Sequence, residues 1–214
     1  MLTGTHHGER DGACTDCRRF WAKYRGGEID DAEVEELTNE LVPTAGTCGV
    51  MGTASTMALM TEAMGMMLPG GGAIPATFAD RSRHAELTGK RAVTMAAEGL
   101  TPKKVMTPAA VRNALRVLQA IGGSTNGLIH MTAMAGRLGI RVDLDAFDEL
   151  GRDIPVLVDL KPSGQYYMED LHRAGGLAPI LRELRDYLEL DALTVTGQTL
   201  GEEIDALPQA YPQD

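Results

Sequence analysis

Residues 54–68 read ASTMALMTEAMGMML, and Glu62 is the only formal charge among them. At helical spacing this run has no polar side. A helix that is apolar all round is a buried helix, covered on every side by other elements. Five of its residues are methionine, Met57, Met60, Met64, Met66 and Met67, and Met51 lies just ahead. Thioethers can bind copper(I), but they also fill irregular cores, and a buried helix favours the second reading.

The flanking sequence supplies covering helices. TDCRRFWAKYRGG reads as a helix stopped at Gly26 and Gly27. Asp30, with Glu33 three residues on, caps a helix reaching about Leu41, where Pro43 blocks continuation. Another helix crosses DRSRHAELTGKRAVTMAAEGL, although Gly89 and Gly99 weaken it. Thr107 and Pro108 open a helix with Val111, Ala114, Leu115, Leu118 and Ile121 on one face. Ser124 caps the next, with an inner stripe of Leu128, Met131, Ala135 and Leu138. Asp143 starts a short helix through Leu150, and MEDLHRAGGLAPILRELRDYL gives one or two helices broken at Gly175 and Gly176. Strand signals are confined to PVLVDL (155–160) and ALTVTG (192–197), residues 1–17 read as loop, and the tail LPQAYPQD reads as frayed. The expected class is therefore helix-rich α/β.

The chain has 214 residues, enough to bury a core, and a formal charge of −10, which argues against a nucleic-acid backbone as partner. No run approaches the ~20 apolar residues that span a bilayer. The three cysteines, an odd number without a secretion signal, point to a reducing, cytoplasmic setting.

Cys48 lies in TAGTCGVMGTASTM (44–57), between small flexible residues and just before the buried helix. A thiolate is a nucleophile and a metal ligand, and its pKa falls near a helix N-terminus. The alternative is a small buried thiol. Cys14 and Cys17 form a C-x-x-C without the preceding strand of a thioredoxin-like motif. Together with Cys48 they could hold zinc or an iron–sulfur cluster, the fourth ligand coming from His6, His7, His84, His130, His172 or another chain. GGSTN (122–126) is either an anion site at a helix N-terminus or a tight turn capped by Ser124. His130 shares a face with Asn126 and reads as structural. The run EIDDAEVEEL reads as a solvated helix face, not a metal site, and Lys161, Ser163 and Gly164 as a turn that could meet a substrate, with a plain turn the favoured reading.

Three stretches, TAGTCGVMGTASTMALMTEAMGMMLPGGGAIPA, AIGGSTNGLIHMTAMAGRLGI and PVLVDLKPSGQYYMEDLHRAGG, together resemble the dihydroxy-acid dehydratase family, which includes 6-phosphogluconate and aldonic-acid dehydratases. GACTDCRRFWAKYRGGEI and MGTASTM look closer to the aldonate-type branch. The resemblance implies a hydro-lyase that removes water from a 2,3-dihydroxy acid, a branched-chain or sugar acid, to give a 2-keto acid. It implies an iron–sulfur cluster on three cysteines, 2Fe–2S or 4Fe–4S, and a magnesium ion. Cys48 matches one cluster ligand. Ser124, Thr125 and Asn126 are expected near the substrate. The family's Cys-Asp-Lys segment and C-terminal domain have no counterpart here, so the resemblance implies an internal piece of a longer, homo-oligomeric enzyme, inactive and without its cofactors as this chain, acting on a small molecule and on neither nucleic acid nor membrane. Residues 1–190 would be part of a parallel-sheet N-terminal domain flanked by helices, and 191–214 the start of a connection onward. The alternative is a non-catalytic metal-binding or interaction module built on Cys14, Cys17 and Cys48.

Overall fold

The computed structural model describes residues 1–12 and 14–207; the side chain of Cys14 and the tail from 208 on, read above as frayed, lie outside the described residues. The chain opens on an antiparallel hairpin, β1 (Gly4–His6) and β2 (Glu9–Asp11), which pairs His6 with Glu9 and Gly4 with Asp11. Its two-residue turn has positive φ at both His7 (48°) and Gly8 (85°), the type I′ geometry whose twist matches paired strands. The loop reading of residues 1–17 is thus corrected: a His-Gly turn is an unusual form of the Asn-Gly signal.

Helices follow: α1 (Cys14–Arg25), α2 (Asp31–Glu40), α3 (Thr53–Ala63), α4 (Ala79–Glu98), α5 (Pro102–Val105), α6 (Pro108–Ala120), α7 (Thr125–Arg137), α8 (Leu144–Gly151), α9 (Met168–Arg173), α10 (Ala178–Glu183) and α11 (Leu200–Ala206). The fold is helix-rich with one small sheet. Most starts lie where the sequence places them, because side-chain caps are local. Asp30, Thr107, Ser124 and Asp143 each accept a backbone N–H from the first turn they cap. α11 was not expected, yet its signal is present: Thr199 and Glu202 form a reciprocal capping box.

α3 is the inner helix. One face, Met60 and Met64, packs on Val111, Leu115 and Leu118 of α6 and on Met131 and Ala135 of α7. The adjacent face, Leu59 and Ala63, joins a second core made by Val117, Ala120, Leu160, Met168, Leu171, Leu177, Leu181, Leu200 and Ile204. Contact on both faces is why this helix carries no polar stripe. Close approach to α7 depends on Gly127, where a Cβ would lie 2.9 Å from Thr56 Cγ2 and 3.0 Å from Met60 Sδ.

The two runs read as strands are corrected. Residues 155–160 are extended, but Leu157 N–H donates to Ala120 O at the end of α6, and only an isolated bridge, Leu160 with Tyr166, forms. Within 192–197 only Leu193 bridges, to Thr199. A ladder needs a partner strand, and among the described residues none runs alongside either segment. No helix of the described residues is long and apolar enough to cross a membrane.

Candidate functional site around Cys48

The Cys48 loop is tied down on both sides. Gly49 O accepts from Met168 N, and Met51 N donates to Lys161 O, each at 2.8 Å. At the start of α3, Ser55 Oγ donates to Val50 O at 2.6 Å and accepts from Gly52 N at 3.1 Å. Val50 and Tyr167 are buried together, and Cys48 packs against them. Its thiol is free and half-buried. It lines an open cavity of about 280 Å³, whose other walls include Ala54, Ser55 and Ala58 of α3, Gly72–Ala76, Arg81, Met168 and Glu169. The small side chains on this face of α3 leave the space. Cys48 thus shares the cavity with the first turns of α3, where backbone N–H groups create a positive potential.

A buried polar network supports the loop from behind. Lys161 Nζ donates to Asp16 Oδ1 (2.7 Å) and Tyr167 Oη (2.6 Å), and Tyr167 O–H donates to Asp16 Oδ2 (2.8 Å). Burial pushes the Asp16 carboxyl up, but the hydrogen bonds from Lys161 and Tyr167 outweigh it and hold it below the ordinary range. Burial lowers Lys161, and the Asp16 and Tyr167 partners more than reverse that. Glu169, at the cavity edge, is engaged by Thr3 and Arg10. This network joins side chains far apart in the chain and was not expected; Lys161 read as part of a plain turn.

The cavity wall at Gly72–Ala76 is held by Glu62. Its Oε1 accepts from Gly70 N and its Oε2 from Gly72 N, both at 2.7 Å. The residue is only 5% exposed. Burial, reinforced by the nearby Glu203 and opposed by the two amides, pushes its pKa up to about 7. The lone charge of the apolar helix is therefore the residue that shapes the glycine loop PGGG.

Ser124, Thr125 and Asn126 lie on another side of the α3 N-terminus. Ser124 N donates to Thr56 Oγ1 (2.9 Å), Asn126 Nδ2 to Thr53 Oγ1 (2.7 Å), and Ser124 Oγ accepts from Asn126 N (3.3 Å). Thr125 is exposed. None of the three lines the Cys48 cavity. Ser124→Ala is expected to cost about 1 kcal/mol through loss of the α7 cap, read by urea denaturation; no loss would mean the hydroxyl is free for another task.

Cys17 lines a separate small crevice between α1 and α2, with Phe20, Trp21, Val34, Leu37 and Leu41. Among the described residues no cysteine belongs to a cluster of three or more metal-ligating side chains. Among the described residues no second thiolate lines the Cys48 cavity, and Glu169 is the only carboxylate that does. The described residues complete neither the cluster nor a magnesium site.

Comparison with known proteins agrees with the motifs. The family model described as dihydroxy-acid/6-phosphogluconate dehydratase N-terminal matches residues 1–203. An L-arabinonate dehydratase of Rhizobium leguminosarum bv. trifolii is 47% identical over 95% of this chain and 36% of its own length. Dihydroxy-acid dehydratases of Ignicoccus hospitalis and Methanospirillum hungatei are 45% and 41% identical, over 80% and 94% of this chain and 32% and 36% of their own lengths. The chain spans about a third of the length of these curated relatives. With a family model matching nearly its whole length, the chain belongs to the dihydroxy-acid/6-phosphogluconate dehydratase family, in that family's N-terminal region.

Proposed function

We propose that this chain forms the Cys48 wall of a hydro-lyase site that removes water from a 2,3-dihydroxy acid, with a 2-keto acid as product. The observation that carries the reading is the free Cys48 thiol opening into a cavity beside the α3 N-terminus. Cys48 would bind one iron of the cluster, which when bound supplies a Lewis acid for the departing hydroxyl. Arg81, a cation lining the cavity, and the α3 N-terminus would attract the substrate carboxylate. Ser124, Thr125 and Asn126 would act by holding that helix end and not by lining the cavity. The substrate would be a sugar acid or a branched-chain dihydroxy acid; the relatives are named for L-arabinonate and for dihydroxy acids. In this reading the whole enzyme is a cytoplasmic homo-oligomer of amino-acid biosynthesis or sugar-acid catabolism, magnesium belongs to it, and residues 191–214 lead from the N-terminal domain toward the rest.

The test is anaerobic iron–sulfide reconstitution of the 214-residue chain. Thiolate-to-iron charge-transfer absorption is expected to fall to background in Cys48→Ser and to persist in a Cys14→Ser/Cys17→Ser double variant. The reverse pattern would favour the module built on all three cysteines, against which stands the placement of Cys17 and Cys48 in separate cavities. The chain alone is expected to release no 2-keto acid from arabinonate or 2,3-dihydroxyisovalerate, because it offers the cluster a single corner.

A further inference from the structure

A second group of metal-ligating side chains lies away from Cys48, where the hairpin rests on α2. Gly4 seats the strand there: a Cβ on it would come within 1.9 Å of Glu40 O. Along β1 the residues alternate, so His6 points inward with Gly4 while Thr5 faces out. His6 is only 6% exposed, its ring edge-on to Phe20 and stacked on His7.

The two nitrogens of His6 have different surroundings. Nδ1 lies 3.1 Å from Glu40 Oε2. An ionised carboxylate only accepts, so Nδ1 carries a proton, and in the neutral ring Nε2 presents a lone pair. Nε2 is buried and has no hydrogen-bond partner among the described residues. What it faces, 3.9 Å away, is Glu33 Oε1, a second acceptor. Two acceptors facing one another at the edge of a buried ring call for a positive charge between them, a proton or a metal ion. His7 completes the group: ligand atoms of His6, His7 and Glu33 lie within 4.8 Å of one another, as do those of His6, Glu36 and Glu40. His7 Nε2 is 3.9 Å from Glu36 Oε1. Glu33, Glu36 and Glu40 share one face of α2 by their three- and four-residue spacing.

We propose that His6, His7 and Glu33 bind one divalent transition-metal ion of the zinc class, with Glu40 orienting His6 and Glu36 beside His7. Imidazole with carboxylate is a donor set such ions accept. A histidine ligand typically donates its other ring N–H to a carboxylate, as His6 does to Glu40. Ligand atoms of a tetrahedral zinc ion stand roughly 3.4 Å apart, so the His6–Glu33 gap must close by about half an ångström, which the half-buried Glu33 side chain can do. The bound ion would pin the hairpin to α2. Such a site departs from the reading of EIDDAEVEEL as only a solvated face.

Cobalt(II) titration of the 214-residue chain, followed by visible absorption, tests this independently of Cys48. One equivalent is expected, with ligand-field bands, no sulfur charge-transfer band, and displacement by zinc. His7→Gln and Glu33→Gln, both accessible positions that leave the core intact, are each expected to weaken binding at least about tenfold with an unchanged circular dichroism spectrum. Absence of saturable binding, binding unaffected by either substitution, or a signal that carries a sulfur band and disappears on Cys→Ser replacement would each overturn the proposal.

Discussion

The unfolding free energy is expected to fall by about 2–3 kcal/mol between about pH 5 and about pH 8.5 through Glu62 alone. The fold raises this carboxyl from 4.5 to about 7, so the folded state holds the proton more tightly than the unfolded chain. A raised carboxyl stabilises fully below the unfolded value and loses that contribution as pH rises through the folded value. The full span, from 4.5 to about 7, corresponds to roughly 3.4 kcal/mol. Glu203 is raised too, chiefly by burial, and adds a slope of the same sign; comparison with Glu62→Gln subtracts it. The variant should be less stable at acid pH by about 1–3 kcal/mol, since its amide NH₂ meets one of the two glycine N–H donors. The two stability curves should converge toward alkaline pH. Urea denaturation across this range gives the answer, and curves that stay parallel would remove Glu62 as the titrating group.

Lys161→Met is expected to destabilise the chain by about 3 kcal/mol, since it takes the ammonium away from the buried Asp16. Asp16 keeps its bonds from Tyr167 O–H and Gly12 N–H, which limits the loss. The fold holds this carboxyl below its ordinary value, so its contribution is present above the usual aspartate range and fades as pH falls through the folded value. The penalty of Lys161→Met should therefore shrink in acid. A double-mutant cycle with Asp16→Asn measures the coupling directly, and additive losses would show that the contact contributes nothing. Tyr167 touches both this pair and Cys48, so faster reaction of Cys48 with a thiol reagent is expected in the Lys161 variant. That readout separates loosening of the site from a general loss of stability.

Helix starts and the buried status of α3 were legible residue by residue. A cap such as Thr107 or Ser124 acts within three positions of itself, and an all-apolar helical run has one physical solution, burial. The placement of Cys48 between small residues ahead of a helix was legible for the same reason. The His7–Gly8 turn and the Thr199–Glu202 box were legible in principle, being local signals of less familiar form. The segments 155–160 and 192–197 were not. β-branched residues report a preference for extended backbone, but a strand exists only with a partner at its edge, and a single segment does not contain that partner.

The amino-acid sequence by itself thus determined where this chain turns helical, which helix is mostly buried, and which thiol stands in an open loop. Tertiary structure alone decided that Lys161 would neutralise Asp16, 145 positions away, that Glu62 would be desolvated and carry two loop amides, and that His6 would turn a bare nitrogen toward the acids of α2. The physical reason is range: caps and periodicity act through neighbouring residues, whereas desolvation and charge pairing depend on which distant surfaces the packed chain brings within a few ångströms.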